Sequence, residues 1–227
     1  MTLTLLSAGA AQALVRTVAR AAAIEVAGSF GAVGAMLEKF DAGEACDVLI
    51  LTRRQVDELE DAGRVVAGSV ADVGRVATAI GVLAGQSEPD VSDEAGLRRA
   101  LLAADAIYFP DPTRATAGIH FMKVLETLGV RSALEARLRT FPNGATAMRE
   151  MAAATGHPLG CTQASEILAT PGLQLVGALP RGFDLETTYC AAVNAKAADP
   201  KAAAASRMSI SRSWSSSARP ANCRLPA

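Results

Sequence analysis

An α/β fold with largely parallel sheets is predicted for this chain, and two observations predict it. Short strand-like apolar runs alternate with segments whose apolar residues recur at helical spacing. Strand-like runs also end repeatedly in a small or hydroxyl residue just before the next helix. Parallel strands need a crossover, usually a helix, to bring the chain back to the same edge, so alternation implies parallel pairing. The length of 227 residues suffices for one large or two small domains with a sizeable core.

The elements follow in order. Residues 3–6 read as a strand, and residues 10–22 as a helix with Leu14, Val15 and Val18 on one face. Residues 24–27 are strand-like and 34–40 helical. The run 47–51 (Asp-Val-Leu-Ile-Leu) has the continuous apolar character of a buried strand. A helix carrying Val56 and Leu59 on one face comes next, then a longer strand at 76–84. Residues 97–103 are helical, 106–109 a strand, and 117–128 a helix with Ile119, Met122, Leu125 and Leu128 in register. A strand at 138–141, a helix at 145–154 and a strand at 159–162 continue the pattern. Strands at 173–179 and 187–193 close it.

Composition narrows the function. Half the residues are hydrophobic, only 4% are aromatic, and 22 basic residues against 23 acidic ones leave a net charge of −1. A nucleic-acid surface needs a basic patch and stacking rings, so no nucleic-acid partner is expected. No stretch approaches the roughly 20 apolar residues of a membrane span. Cys46, Cys161, Cys190 and Cys223 include no C-x-x-C pair, and the two histidines are His120 and His157. No zinc site or other metal site is expected, nor a disulfide framework; the cysteines beside apolar runs read as buried free thiols. Residues 1–10 lack the basic flank and long apolar stretch of a signal peptide. As written, the chain is expected in the cytoplasm, or in the periplasm if an export signal has been trimmed.

The last 22 residues depart from the pattern. Residues 206–227 hold seven serines, four arginines and no acidic residue. Three readings stay open: a basic tail meeting an anionic partner, an unstructured end, or a shifted reading frame in place of a closing helix.

The candidate chemistry sits at the strand-to-helix junctions. These are Ser7-Ala8-Gly9, Ser29 to Gly34, Thr52-Arg53, Thr113 to Gly118 (containing Arg114, Thr116 and Ala117), Asn143 to Thr146 (containing Ala145), and Gln163-Ala164-Ser165. In a parallel sheet such junctions share the carboxyl edge of the strands. Each offers unpaired N–H groups and the positive end of a helix dipole, which together bind anions without a lysine cage. Every junction is also an ordinary N-cap sequence, worth about 1 kcal/mol, so the anion reading rests on convergence. The glycines of Gly28-x-x-Gly31-x-x-Gly34 match neither the dinucleotide fingerprint nor a P-loop; no cofactor is expected. No catalytic set is assigned by spacing. Glu166 and Asp111 lie near junctions and could serve acid–base chemistry, and Arg53 and Arg114 could pair with a ligand carboxylate.

Five segments carry a resemblance: residues 3–14, Phe30-Gly-Ala-Val-Gly-Ala-Met, Gly43-Glu-Ala-Cys-Asp-Val-Leu-Ile-Leu-Thr, Asp111-Pro to Phe121, and Pro158-Leu-Gly-Cys-Thr-Gln-Ala-Ser-Glu-Ile-Leu. Together they resemble the molybdate-type substrate-binding proteins of ABC transporters, from about residue 2 to about residue 200. The resemblance implies a two-lobed type II periplasmic-binding-protein fold with a central cleft and two crossing strands, mapped to 76–84 and 187–193. Lobe one would be 1–80 with 187–205 returning to it, lobe two 81–186, and 206–227 an atypical tail. It implies a small anionic ligand, an ABC permease as partner, and a monomer that does not span the membrane. It implies ligand contacts from Ser7, Ala32, Thr52, Ala117, Ala145 and Gln163, Gln163 standing where molybdate binders often carry a tyrosine. Arg114 and the neighbouring Thr116 complete the candidate set, and Arg114 would suit a small organic acid. The alternatives are an isomerase of a small unsaturated polycarboxylate such as aconitate on the same scaffold, with Glu166 moving the proton, and a cytosolic anion sensor.

Overall fold

The computed structural model describes residues 2–200; the Ser/Arg-rich stretch 206–227, with Cys223, lies outside the described residues. Strand β1 (Thr2–Ala8) leads through a single 3-10 turn (Gly9–Ala11) into helix α1 (Gln12–Ala21). Strand β2 (Glu25–Gly31), helix α2 (Val33–Asp41), strand β3 (Val48–Thr52) and helix α3 (Arg53–Asp61) follow. β1 lies between β2 and β3 and runs parallel to both. The crossover helices bury stripes at helical spacing: Val15 and Val18, then Val33, Met36 and Phe40, then Val56 and Leu59. Gly28, at φ 148°, lets β2 lie close to β1, because a Cβ there would stand 2.0 Å from Leu5 O.

Strand β4 (Ala71–Leu83) opens the second half, followed by helix α4 (Glu94–Ala103), strand β5 (Ile107–Pro110) and helix α5 (Thr116–Thr127). A short helix α6 (Arg131–Leu134), strand β6 (Leu138–Phe141), helix α7 (Gly144–Ala152), strand β7 (Leu159–Gln163) and helix α8 (Ala164–Leu168) come next. Strands β8 (Leu173–Ala178) and β9 (Glu186–Val193) complete the described elements. β5 is parallel to both β6 and β7. Strand order is β2-β1-β3-β9-β4-β7-β5-β6, with β8 pairing β4 off that path. Each half therefore has parallel strands, and antiparallel pairing through β4 and β9 joins the halves.

β4 changes partners midway. Ala71–Ala77 pairs with β9, and from Thr78 onward the strand pairs with β7 and β8. Thr78 N donates to Leu185 O at 2.8 Å at the changeover. The strand begins at Ala71, ahead of the expected start at 76, because Asp72, Gly74 and Arg75 break the apolar run while their ladder bonds to β9 hold the backbone extended.

One large core cluster joins β1, β3 and β9 to α1, α2 and α3. Two clusters fill the second half, around Leu97, Phe109, Phe121 and Leu125, and around Met148, Met151 and Ile167. Cys46, Cys161 and Cys190 are buried free thiols; burial pushes the Cys46 thiol up to about 11. No helix among the described residues is long and apolar enough to cross a membrane.

The register expected for α5 is rotated. The buried stripe is Ala117, Phe121, Val124, Leu125 and Leu128, whereas Ile119 is 37% exposed. Two apolar stripes lie side by side on this helix, and the edge-to-face contact of Phe121 with Phe109 (centroids 5.3 Å apart, planes at 68°) selects the one that faces the sheet. Phe121→Ala is expected to cost about 3–5 kcal/mol in urea denaturation, and Ile119→Ala no more than about 0.5 kcal/mol. The reverse order would reject this register.

Candidate functional site

The carboxyl ends of β1, β2, β5, β6 and β7 converge, and a small cavity lies among them. Its walls include Gly9, Ala32, Thr116, Ala117, Gly144, Thr162, Gln163, Glu166 and Tyr189. Its volume is about 20 Å³, room for roughly one water.

The helix starts are capped in different ways. Helices α3 and α4 begin with conventional side-chain caps. Thr52 accepts from Gln55 N in a reciprocal capping box, and Asp93 accepts from Gly96 N at 2.7 Å. α2 and α5, whose first residues line the cavity, begin after Ala32 and Ala115, and neither has a side-chain cap bond. Alanine offers no acceptor, so no side chain takes the leading N–H groups, although in α2 Gly34 N donates to Arg114 O, and the helix dipoles leave a positive field at the cavity. α7 differs: Asn143 Oδ1 accepts from Thr146 N at 2.8 Å.

A carboxyl group sits on the same edge. Glu166 is only 8% exposed, and Thr162 Oγ1 donates to its Oε2 at 2.5 Å. Its neighbours are cut back to admit it: a Cβ on Gly9 would lie 2.7 Å from Oε1, and one on Gly144 1.9 Å from Oε2. Burial raises its pKa above the usual glutamate value, against the pull of the Thr162 hydroxyl and the N–H groups of Gln163 and Ala145. Gln163 Nε2 donates to Thr187 Oγ1 at 3.3 Å, while its Oε1 is buried with no partner. Tyr189, 4% exposed on β9, brings a phenol to the cavity, and both burial and the Glu166 charge raise its pKa.

The structure brings part of the expected set together. Ala32, Thr116, Ala117 and Gln163 line the cavity. Ala145 stands at its edge, its N–H turned to the Glu166 carboxylate and the residue bordering a neighbouring pocket of about 340 Å³. Ser7 is fully buried behind the wall, its hydroxyl donating to Ala8 O at 3.1 Å. Thr52 lies outside the cavity, engaged in capping α3 and bordering an outer groove of about 700 Å³. Arg114 also borders that groove and is drawn away by its ion pair with Glu38 at 3.0 Å. Asp111 accepts from the N–H groups of Thr113 and Arg114, shaping the turn before α5. His120 Nε2 bonds Phe183 O at 2.7 Å, outside the cavity. Tyr189 and Thr162 are wall residues that sequence patterning does not single out; the available signal is a polar residue inside a run expected to be a buried strand.

The halves are in contact around the cavity. Gly34 N donates to Arg114 O at 3.0 Å, Arg114 pairs with Glu38, and Ser165 Oγ donates to Ala10 O at 2.8 Å. A Cβ on Gly34 would stand 2.9 Å from Arg114 O, so this contact depends on glycine.

Two halves around an anion-suited cavity define a two-lobed binding protein of the type II periplasmic class. A family model for bacterial extracellular solute-binding proteins matches residues 3–205, and the chain belongs to that family. It superposes on the periplasmic molybdate-binding protein of Azotobacter vinelandii with a TM-score of 0.70 at 18% identity, covering 92% of each chain. The sulfate-binding protein of Mycobacterium tuberculosis H37Rv gives a TM-score of 0.68 at 16% identity, covering 92% of this chain and 81% of that one. At such identities the likeness shows the fold alone. In sequence the chain is 28% identical to an aconitate isomerase of Pseudomonas sp over 214 residues, 90% of this chain and 80% of the relative.

The raised pKa of Glu166 has a stability consequence with a definite sign. The folded state holds the proton more tightly than the unfolded chain, so stability falls as pH rises from the ordinary 4.5 towards the raised value. Glu166→Gln should therefore melt higher than the parent protein at pH 8, by about 2–4 °C for each kcal/mol of burial penalty relieved. The gap should close near pH 4. Calorimetric scans across that range check it; a gap that widens in acid contradicts the assignment.

Proposed function

We propose that this chain is a solute-binding protein that captures a small anion, either an oxyanion or a small organic carboxylate, in the cavity between its halves. The uncapped starts of α2 and α5, aimed at one cavity, carry the reading. They supply N–H donors and positive dipole ends where an anion would lose its water. The ligands of the two structural neighbours, molybdate and sulfate, agree with an anion.

We take the lobes as 1–80 with 187–205 returning, of which residues 1 and 201–205 lie outside the described residues, and 81–186. A cavity of about 20 Å³ has room for roughly one water, so the lobes part about β4 and β9 to take up the larger anion. The loaded monomer delivers its ligand to an ABC permease. Thermal-shift and calorimetric titration with molybdate, tungstate, sulfate and di- and tricarboxylates tests this. At least one should bind saturably, and a ligand at about 100 times its Kd should add about 2.7 kcal/mol of stability. Failure of every anion would reject the reading. Gly34→Ala should weaken that ligand roughly tenfold by disrupting the cross-lobe bond.

One observation favours a second reading. Glu166 is a buried carboxyl in the cavity wall with a raised pKa, the attribute of a group that moves protons near neutral pH, and the aconitate isomerase relative points the same way. On a small unsaturated polycarboxylate, Glu166 would take an allylic proton from one carbon and return it at the far end of the three-carbon unit while the double bond shifts. Proton NMR of cis- and trans-aconitate in deuterated buffer separates the two. The binding-protein reading expects unchanged spectra; interconversion with deuterium uptake, lost in Glu166→Gln, would establish the isomerase.

A further inference from the structure

We infer that the ligand of this cavity must bring a hydrogen-bond donor of its own, a hydroxyl or a retained acidic proton, and that Gln163 and Glu166 select for it. The inference rests on the anion-binding reading above and narrows the class of anion.

Two observations carry it. The first is the orphaned oxygen of Gln163. The residue is 3% exposed and lines the cavity; its Nε2 is anchored on Thr187 Oγ1, and its Oε1 has no partner. A buried carbonyl oxygen left unpaired is costly, and a ligand donor is what would satisfy it. The second is the acceptor character of the neighbouring wall. Glu166 lines the cavity as well, and Gly9 and Gly144 leave the space its carboxylate occupies. Elsewhere in the lining, the N–H groups at Ala32–Val33 and Thr116–Ala117 serve the negative groups of a ligand.

The cavity thus offers two kinds of group, donors at the α2 and α5 termini and acceptors at Gln163 and Glu166. A fully deprotonated tetrahedral oxyanion satisfies the donors only. It would leave Gln163 Oε1 unpaired, and its charge would oppose that of Glu166 wherever that carboxyl is ionised. A hydroxy acid, or an oxyanion that retains a proton, satisfies both.

Matched pairs of anions test this by titration calorimetry on the full chain at about pH 7: malate against succinate, and phosphate against sulfate and molybdate. The donor-bearing member of any pair that binds should bind at least about tenfold tighter, the effect of one buried hydrogen bond. Glu166→Gln should narrow the gap by raising the affinity for sulfate or succinate, and Gln163→Leu by lowering that for phosphate or malate. Circular dichroism of each variant confirms that it folds. Equal affinities within pairs, or a preference unchanged in both variants, overturn the inference while leaving anion binding intact. Absence of binding by every probe overturns the anion-binding reading itself, and the inference with it.

Discussion

Backbone pairing along β4 is the constraint on which the site depends. A single strand of 13 residues pairs first with β9 and then with β7 and β8. It belongs to the sheets of both halves, so the carboxyl edge of β1 and β2 is held near that of β5, β6 and β7. Converging edges bring helix N-termini from both halves to one point. Anion binding at the cavity requires that placement.

The chemistry of the cavity is a balance between opposite partial charges. Alanine at the starts of α2 and α5 forgoes a cap bond worth about 1 kcal/mol, and the helix N-termini give the cavity its positive character. Glu166 adds a carboxyl to the same lining, and burial opposes its ionisation. Glycines 9 and 144 are part of this arrangement, because any larger residue would overlap the carboxylate. The contacts that close the halves, Gly34 with Arg114 and Arg114 with Glu38, are made by residues next to the lining rather than in it. Ligand chemistry and closure therefore reside in different residues.

Much of the architecture is legible along the chain. Alternating strand and helix patterns place most elements to within a few residues, and the run Val48-Leu-Ile-Leu reads at once as a buried strand. Patterning alone rotates the α5 stripe away from its true face, because Ile119 and Phe121 are both apolar and only the Phe109 ring decides between them. Arg114 and Thr52 show the same limit at the site. Their residue types suit an anion, but Glu38 engages one and the α3 cap engages the other. Tyr189 shows the converse, a phenol in an apolar strand that enters the cavity only because β9 lies beside β4.

By itself the amino-acid sequence determined the α/β class, the strand-to-helix junctions and the small residues that allow an anion to approach backbone. These are local properties, written in periodicity and in which residue precedes each helix. Tertiary structure alone decided which junctions meet, that Glu166 and Gln163, whose amide oxygen is unpaired, line one cavity, and that Tyr189 joins them. Gly9 follows the first strand and Tyr189 lies on the last, so almost the whole described chain separates two residues of the same wall. The physical reason is pairing register: hydrogen bonds along β4 and β9 bring together segments that no local pattern connects.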